Sequence, residues 1–435
     1  MKKYLCFPVI LILLLSSLCA CAHRPDVPKG TSESDDSMQS TFPVKFTLPS
    51  DFTDPTIPAE SVIPTEPTVP ETEPIAVDTL SLDKEWYAHY EGAEDYTLLV
   101  TSEYSIVTLS ECDTDQYSNV ARVLAALADR QRKTMEEELD NLISFARDEY
   151  AQDPYNFTAY VSTLDVQVRR ADSIVISLLF DSYSDYIGID GFRALSGSTF
   201  DSQTGEQLKL SDVVRDMDAL PTLIEKEMDE YILTVMLSSN TAVQDYFRDT
   251  PEDGIRWTLD YNGVTFYFVS GELTEPDGGS QQVTLTFEEY PELVYERYLN
   301  VPEEYTVELT NDATFFADLN EDGVCETLMF SAWLDRERNH YLDFGIYSNV
   351  DGMYYYEECY QYRFYPFYAK TKDGQYLYLY CEFVEEGYRD MNLKVFSLEM
   401  DSIEKLEEYY DVQVFTNTGA FQLPTDAERL NSHTK

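Results

Sequence analysis

Apolar residues at helical spacing mark one long amphipathic segment of this chain. From about Gln116 to Tyr150, aliphatic side chains return every three or four positions, with charged residues between them. This period places the apolar side chains on one face of a helix. The pattern therefore predicts a long helix packed against a core. A similar pattern predicts a second helix from Leu220 to Phe247.

Alternating apolar and polar residues predict strands around these helices. Residues 96–110 are rich in Val, Ile, Thr and Tyr, and residues 164–168 carry an apolar side chain at every second position. The pair Asn262-Gly263 lies between two apolar runs and predicts a tight β-hairpin.

The last third of the chain is rich in tyrosine. Asp351-Gly352 and Asp373-Gly374 separate alternating runs there, and the spacing predicts a mostly antiparallel sheet of about seven or eight strands. We interpret the aromatic stripes of these strands as core and cross-strand pairs rather than as a sugar-binding platform. The pattern of this last region therefore predicts a mainly antiparallel β domain.

The first residues have the features of an export signal. Lys2 and Lys3 precede an apolar run from about Leu5 to Leu18, which is too short for a comfortable membrane span. The run ends in Leu-Cys-Ala-Cys, which resembles a bacterial lipobox with Cys21 as the lipidated residue. The alternative is an ordinary cleaved signal peptide. Lipidation of Cys21 predicts a protein anchored in the cell membrane and facing the outside.

Composition changes abruptly after Cys21. Residues 22–80 hold 10 of the 19 prolines, together with many Thr, Ser, Glu and Asp residues. Proline removes backbone donors and fixes φ, so this segment is predicted to be an extended tether without a core.

Charge limits the classes of partner. The chain has 81 Asp and Glu against 30 Lys and Arg, a net charge of −51 at pH 7. Nucleic acid is a poor partner, because phosphate binding needs clustered Lys and Arg. A basic protein or a cation is favoured, and the alternative is that the acidity only keeps the protein soluble.

The order of elements from Trp86 to Leu299 resembles the extracellular module of the RsiV family of anti-sigma factors, which also resembles the N-terminal region of the peptidoglycan deacetylase PdaC. The motifs that carry the resemblance are Phe200-Asp201, Thr204-Gly205, Leu208 to Val213, and Val283 to Leu293. The glycine-histidine corner of that family departs here to Gly188-Ile189-Asp190-Gly191, without histidine. The resemblance implies an α+β fold and, in RsiV, a lysozyme receptor.

These features divide the chain into four regions. They are a lipoprotein signal peptide (1–20), a lipidated N terminus and disordered tether (21–80), an RsiV-like α+β domain (81–300) and a Tyr-rich β domain (301–435).

An oxygen-rich loop in the last region predicts a calcium site. Asp318, Asn320, Asp322 and Glu326 carry side-chain oxygens, and the carbonyl of Val324 supplies another. Ca²⁺ prefers six to eight oxygen ligands, and a glycine within the loop permits a sharp bend. Predicted strands flank the loop, so it resembles the calcium loops of integrin-type propeller blades rather than an EF-hand. The alternative is an acidic β-turn without metal.

The cysteines show no zinc spacing. Cys359 and Cys381 are candidates for a disulfide bond, and buried free thiols are the alternative.

Catalytic motifs are absent from the sequence. It has four histidines and no G-x-S-x-G, P-loop or H-E-x-x-H motif. We therefore expect a non-enzymatic surface lipoprotein that binds a basic protein such as lysozyme, or a wall-derived ligand, and carries structural Ca²⁺. A structural envelope protein without a soluble ligand is the alternative, and a wall-modifying hydrolase is a weaker one.

Overall fold

Four β-sheets make up most of the part of the chain that the structure describes. The computed structural model describes residues 76–186, 189–231, 241–274, 279–335, 340–350, 352–385, 388–399, 402–410 and 412.

Six strands form the first sheet, in the order β1-β2-β3-β4-β5-β6. They are β1 (Leu82–Gly92), β2 (Leu98–Leu109), β3 (Tyr160–Ala171), β4 (Val175–Tyr186), β5 (Ile189–Asp201) and β6 (Gln207–Leu208). Strands β2 and β3 are parallel, whereas the other neighbours are antiparallel. A short helix, α1 (Glu111–Thr114), and a long one, α2 (Ser118–Gln152), connect β2 to β3.

Helix α2 confirms the first predicted helix. Its apolar stripe buries Val120, Leu124, Met135 and Leu142. The C-terminal part of the stripe packs with Leu99 and other apolar residues of β2 and β3. The helix therefore covers one face of the only parallel strand pair within the described sheets.

A second layer follows along the chain. Its helices are α3 (Leu210–Val213), α4 (Leu220–Tyr231) and α5 (Ala242–Asp249), with 3₁₀ turns at Glu252–Gly254 and Glu296–Tyr298, and its strands are β7 (Trp257–Leu259), β8 (Gly263–Phe268) and β9 (Gln281–Thr286). The β7–β8 hairpin at Asn262-Gly263 is confirmed. Leu210, Ile224, Val243 and Phe266 belong to the core between these helices and strands.

The C-terminal part is a sandwich of two antiparallel sheets. One has the order β10-β15-β16-β17-β18 and the other β11-β12-β13-β14. Their strands are β10 (Tyr305–Glu308), β11 (Thr314–Ala317), β12 (Glu326–Asp335), β13 (His340–Ser348), β14 (Tyr354–Gln361), β15 (Arg363–Thr371), β16 (Gly374–Glu385), β17 (Tyr388–Glu399) and β18 (Ser402–Tyr409). Phe330, Phe344, Leu379 and Phe396 lie in the core between the two sheets.

The predicted α+β fold class is wrong. Strands account for 50% and helices for 21% of the structure, which makes it a mainly β protein with four sheets. The single helix predicted from Leu220 to Phe247 contributes to the error. It is interrupted, because Thr241 has a non-helical backbone before α5. The single Tyr-rich sheet is also wrong, since the described C-terminal strands form two sheets.

Among the described helices, none has the length and apolar character needed to cross a membrane.

Cys359 and Cys381 are free thiols, which agrees with the alternative to a disulfide bond between them. The Sγ atom of Cys381 instead donates to the carbonyl of Leu379, and Cys359 donates to the carbonyl of Tyr341.

Two arginines at the end of β3 connect the parts of the chain. Arg169 donates to both carboxylate oxygens of Asp260, at 3.2 and 2.9 Å, and to the carbonyl of Glu308 at 3.2 Å. Arg170 donates to the carbonyls of Tyr298 and Asn300, at 2.8 and 2.7 Å. The segment next to the predicted boundary at residue 300 is thus fixed to the first sheet.

The first sheet and the β7–β9 layer approach closely at Gly197. A Cβ atom there would lie 1.8 Å from the carbonyl oxygen of Trp257, and backbone cannot yield as a flexible side chain does. We expect Gly197→Ala to lower the free energy of unfolding by at least the roughly 1–3 kcal/mol typical of overpacking. Urea unfolding followed by circular dichroism measures it.

Gly92→Ala is the matched control for this substitution. A Cβ atom at Gly92 would meet its nearest neighbour at 3.7 Å, an ordinary contact. We expect a change within about 0.5 kcal/mol for the control. Equal stability of the two variants would contradict the close approach of β5 and β7.

Candidate functional site

A cleft of about 770 Å³ lies at the seam between the first sheet, the β9 edge and the C-terminal sandwich. It is partly open to solvent, and residues of β1 to β5, β9, β10 and β15 line it. No single stretch of sequence builds this site, since its walls come from residue 86 to residue 366.

A buried lysine holds the floor of the cleft together. The Nζ atom of Lys84 lies 2.9 Å from Oδ1 of Asp165 and 2.8 Å from both carboxylate oxygens of Glu308. Its side chain is 2% exposed, and the ring of Trp86 lies over it, with 4.3 Å between Nζ and the ring centroid. The Lys84 cluster, as we call Lys84, Asp165 and Glu308, connects β1, β3 and β10.

Ion pairs also form the walls. Arg193 of β5 donates through Nε to Asp181 of β4 at 2.8 Å, and its Nη2 binds the second carboxylate oxygen at 2.5 Å. Arg363 of β15 binds Glu103 of β2, which also accepts a hydrogen bond from Tyr90. These pairs fix the positions of four charged groups around the cleft.

The cleft is acidic in sum. Six carboxylates line it, from Glu103, Asp165, Asp181, Glu227, Glu308 and Asp312, against two guanidinium groups. Lys84 and Lys226 are not among the lining residues, but each pairs with a member of this set. When Glu308 is ionised, six negative and four positive groups leave two negative charges, and protonation of Glu308 leaves one, so the cleft favours a cation in both states.

Asp312 is the exposed carboxylate of this set. It lies on the loop between β10 and β11 with φ of 59°, and it accepts hydrogen bonds from Ser331 and Asn311. No ion pair is present at Asp312 in the part of the chain that the structure describes. It is therefore the group most accessible to an incoming cation.

Two carboxylates share one ammonium group in the floor, which perturbs Glu308. The pKa of Glu308 is raised to about 7. Burial is the largest cause, the charge of Lys84 lowers the pKa, and the nearby charge of Asp165 raises it. Burial of a carboxylate favours its neutral form.

The predicted calcium loop forms a network of internal hydrogen bonds. Oδ2 of Asp318 accepts from the N–H of Gly323 at 3.1 Å, and Oδ1 of Asn320 and of Asp322 accept from the N–H two residues further on, at 2.8 Å each. The N–H of Leu319 donates to Glu326 at 2.8 Å. The residues that the sequence singled out are therefore brought together in one loop, with Val324 exposed at its end.

A donor occupies the middle of this loop. Nδ2 of Asn320 donates to Asp322 at 3.1 Å and to Glu326 at 2.9 Å, while Oδ1 of Asp318 is buried without a hydrogen-bond partner. No three His, Cys, Asp or Glu side chains of the described residues converge closely enough to hold a metal ion. A cation would have to replace the Asn320 amide donors between the two carboxylates.

Cys21 lies outside the described residues, so its lipidation stays a prediction.

Sequence patterns missed the cleft because Lys84, Asp165 and Glu308 lie in strands, where charged residues ordinarily face water. The only sequence signal for these three residues was weak, because each is a charged residue within a segment predicted to form a strand.

Comparison with known proteins gives distant structural neighbours. No protein-family model and no curated protein matches the chain. A DUF3298-family protein from Bacteroides fragilis has a TM-score of 0.38 and 14% identity, covering 50% of this chain and 94% of its own. A DUF3298-family protein from Pseudomonas aeruginosa has a TM-score of 0.36 and 14% identity, covering 51% and 97%. Neither is similar enough for its fold or function to be transferred to this chain.

The Lys84 cluster predicts a pH-dependent stability. The folded pKa of Glu308, about 7, lies above the ordinary value of 4.5, so folding takes up a proton between these values. The stability that Glu308 contributes to the folded state is therefore fully present below about pH 4.5 and is lost as the pH rises to about 7. In the native chain, the free energy of unfolding should fall by on the order of 3 kcal/mol across this window because of Glu308. We expect Glu308→Gln to abolish this fall.

Urea unfolding at several pH values checks this expectation. Glu304→Gln is the control, because Glu304 lies on the same segment but is partly exposed beside Lys372. Parallel pH profiles for the native chain and Glu308→Gln would show that Glu308 does not take up the proton.

Proposed function

We propose that this protein is a non-catalytic lipoprotein on the outer face of the cell membrane, which binds a cationic ligand in the cleft. The observation that carries the proposal is the excess of carboxylates around a cavity of about 770 Å³, with Asp312 exposed at its rim. The export signal and Cys21 support the location, and the ligand is a basic protein such as lysozyme or a cationic wall fragment.

The arrangement of the carboxylates supports binding rather than catalysis. A general acid and base need groups that are free to exchange protons with substrate at close range. Asp165 and Glu308 instead share Lys84, and Asp181 is held by Arg193. These ion-paired carboxylates therefore set the shape of the cleft and its electrostatic potential.

We also propose that Ca²⁺ binds the loop of Asp318, Asn320, Asp322, Val324 and Glu326 and stiffens it. The buried Oδ1 atom of Asp318 supports this, since an anionic oxygen without a donor is stabilised by a cation. Rotation of the Asn320 amide would replace its two N–H donors by an oxygen ligand.

Lysozyme binding tests the cleft. We expect a basic lysozyme to bind the detergent-solubilised full-length chain at low salt and to bind more weakly at high salt. Asp312→Asn should weaken binding about fivefold, since one charge at contact distance contributes about 1 kcal/mol in water. Asparagine tolerates the positive φ at this position, so the fold should not change. Calorimetry measures the affinity.

Asp373→Asn is the control for this experiment, because Asp373 lies in the β15–β16 turn, away from the cleft. No binding by the native chain at low salt would remove the receptor proposal and favour a structural envelope role. Release of wall fragments by the native chain would favour a hydrolase.

Calcium titration tests the loop. We expect Ca²⁺ at 100 times its Kd to stabilise the folded chain by about 2.7 kcal/mol, seen as a higher Tm that a chelator reverses. Asp318→Ala should abolish the shift, whereas Asn320→Asp should enlarge it, because it replaces the amide donors by a carboxylate. Asp373→Ala is the control. A Tm that is the same with calcium and with chelator would leave an acidic turn without metal.

A further inference from the structure

The outward side of the β11–β14 sheet carries a regular array of side chains. The strand register aligns three rows across β12, β13 and β14: Met329, Tyr347 and Tyr354; Ser331, Gly345 and Tyr356; and Trp333, Asp343 and Glu358. We call these nine residues the outer face. Rows are roughly 6.8 Å apart and strands about 4.8 Å apart, so the outer face spans about 14 by 10 Å.

Large aromatic rings on the outer face are open to solvent. Trp333 is 63% exposed, Tyr354 67%, Tyr356 52% and Tyr347 36%. The opposite side of the same strands buries Phe330 in the sandwich core. None of the four exposed rings stacks on another ring of the described residues. Four exposed rings on one side of a sheet mark a candidate interaction surface.

One glycine shapes this surface. A Cβ atom at Gly345 would lie 2.2 Å from Oη and 2.3 Å from Cζ of Tyr347, so the tyrosine ring extends across the glycine. The hydroxyl of Tyr356 donates to Asp343 at 3.1 Å, which fixes a second ring. The face therefore presents rings in set positions, with carboxylates beside them.

The residue types select the chemistry of a partner. The outer face has no Leu, Ile, Val, Lys or Arg, whereas it combines four aromatic rings with two carboxylates. The C–H faces of sugar rings pack on aromatic π-faces, and carboxylates accept hydrogen bonds from hydroxyl and ammonium groups. An apolar protein surface would instead bury Asp343 and Glu358 without partners, at a cost.

Charge narrows the choice among glycans. Both charged groups of the outer face are negative, and the chain as a whole has a net charge of −51. Polyanionic glycans are repelled, while ammonium groups complement Asp343 and Glu358.

We propose that the outer face binds an extended glycan chain with free amino groups, whose sugar rings stack on Trp333, Tyr347 and Tyr354 and whose ammonium groups pair with Asp343 and Glu358. The outer face shares no residue with the cleft lining, so this proposal does not depend on the function proposed for the cleft.

Binding of defined oligosaccharides to the full-length chain tests the proposal. The probes are a β-1,4-linked glucosamine hexamer and its fully N-acetylated counterpart, near pH 6. Calorimetry gives the affinity, and the fluorescence of the exposed Trp333 reports contact at the face. We expect the glucosamine hexamer to bind more tightly, and Trp333→Ala or Tyr354→Ala to weaken it about tenfold.

Two further variants separate stacking from charge. Asp343→Asn combined with Glu358→Gln should make the two hexamers bind equally, while Tyr155→Ala, at another exposed tyrosine, should bind like the native chain. All substituted side chains except Asp343 are exposed, and circular dichroism verifies folding.

Several results would overturn the proposal. They are no binding of either hexamer by the native chain, undiminished binding by Trp333→Ala, or tighter binding of the N-acetylated hexamer. Sedimentation provides the remaining outcome: a native dimer that Trp333→Ala converts to a monomer, without sugar binding, would make the outer face a protein interface.

Discussion

The shared ion contacts of Lys84 are the constraint on which the rest of this structure depends. A single ammonium group, almost without exposure, contacts Asp165 of β3 and Glu308 of β10. Burial of a charge costs several kcal/mol unless well-placed partners offset it, so β1, β3 and β10 must meet in one arrangement. That arrangement leaves the cleft open beside the cluster and makes Glu308 a proton acceptor.

Basic residues are scarce in this chain, which explains why carboxylates share them. Among the described residues, eight buried acids stand against four buried bases, Lys84, Arg169, Arg170 and Lys394. Arg169 and Arg170 also bind backbone carbonyls from other parts of the chain, so each guanidinium both compensates charge and joins elements. Glu103, Asp201 and Glu227 pair with bases that are less buried than they are. Glu326 accepts a hydrogen bond from the N–H of Leu319, and Glu382 accepts one from the hydroxyl of Tyr365. An interior of this kind attracts protons and cations.

Local patterns predicted the elements whose structure is decided locally. The stripe of α2 and the Asn262-Gly263 hairpin are visible in sequence because the helical period and turn chemistry act over a few residues. The α+β fold class followed from the family resemblance and was wrong, because strands outweigh helices in the structure and the second predicted helix is broken before α5. The cleft was not predictable, since alternation cannot distinguish a strand charge that faces water from one that faces another sheet.

The alternation of apolar and polar residues along a strand also does not show which side of the sheet is covered by another layer of the protein. Tyr378 and Tyr380 of β16 are buried as members of a second apolar cluster on the five-stranded sheet. Tyr354 and Tyr356 of β14 have the same spacing, yet they are exposed because no described layer covers their side of the sandwich. Aromatic stripes in this domain therefore serve two purposes, core packing on one sheet and an open surface on the other.

The cleft, the oxygen-rich loop and the outer face share one preference, for cations, and differ in how solvent reaches them. The carboxylate of Glu308 at the cleft floor is buried, so salt screens its field less than it screens exposed Glu358. Ionic strength should thus weaken binding at the outer face more per charge than it weakens attraction at the cleft floor. Stacking on Trp333 and Tyr354 is not screened, and it would keep a sugar chain on the outer face at salt concentrations where its ion pairs contribute little.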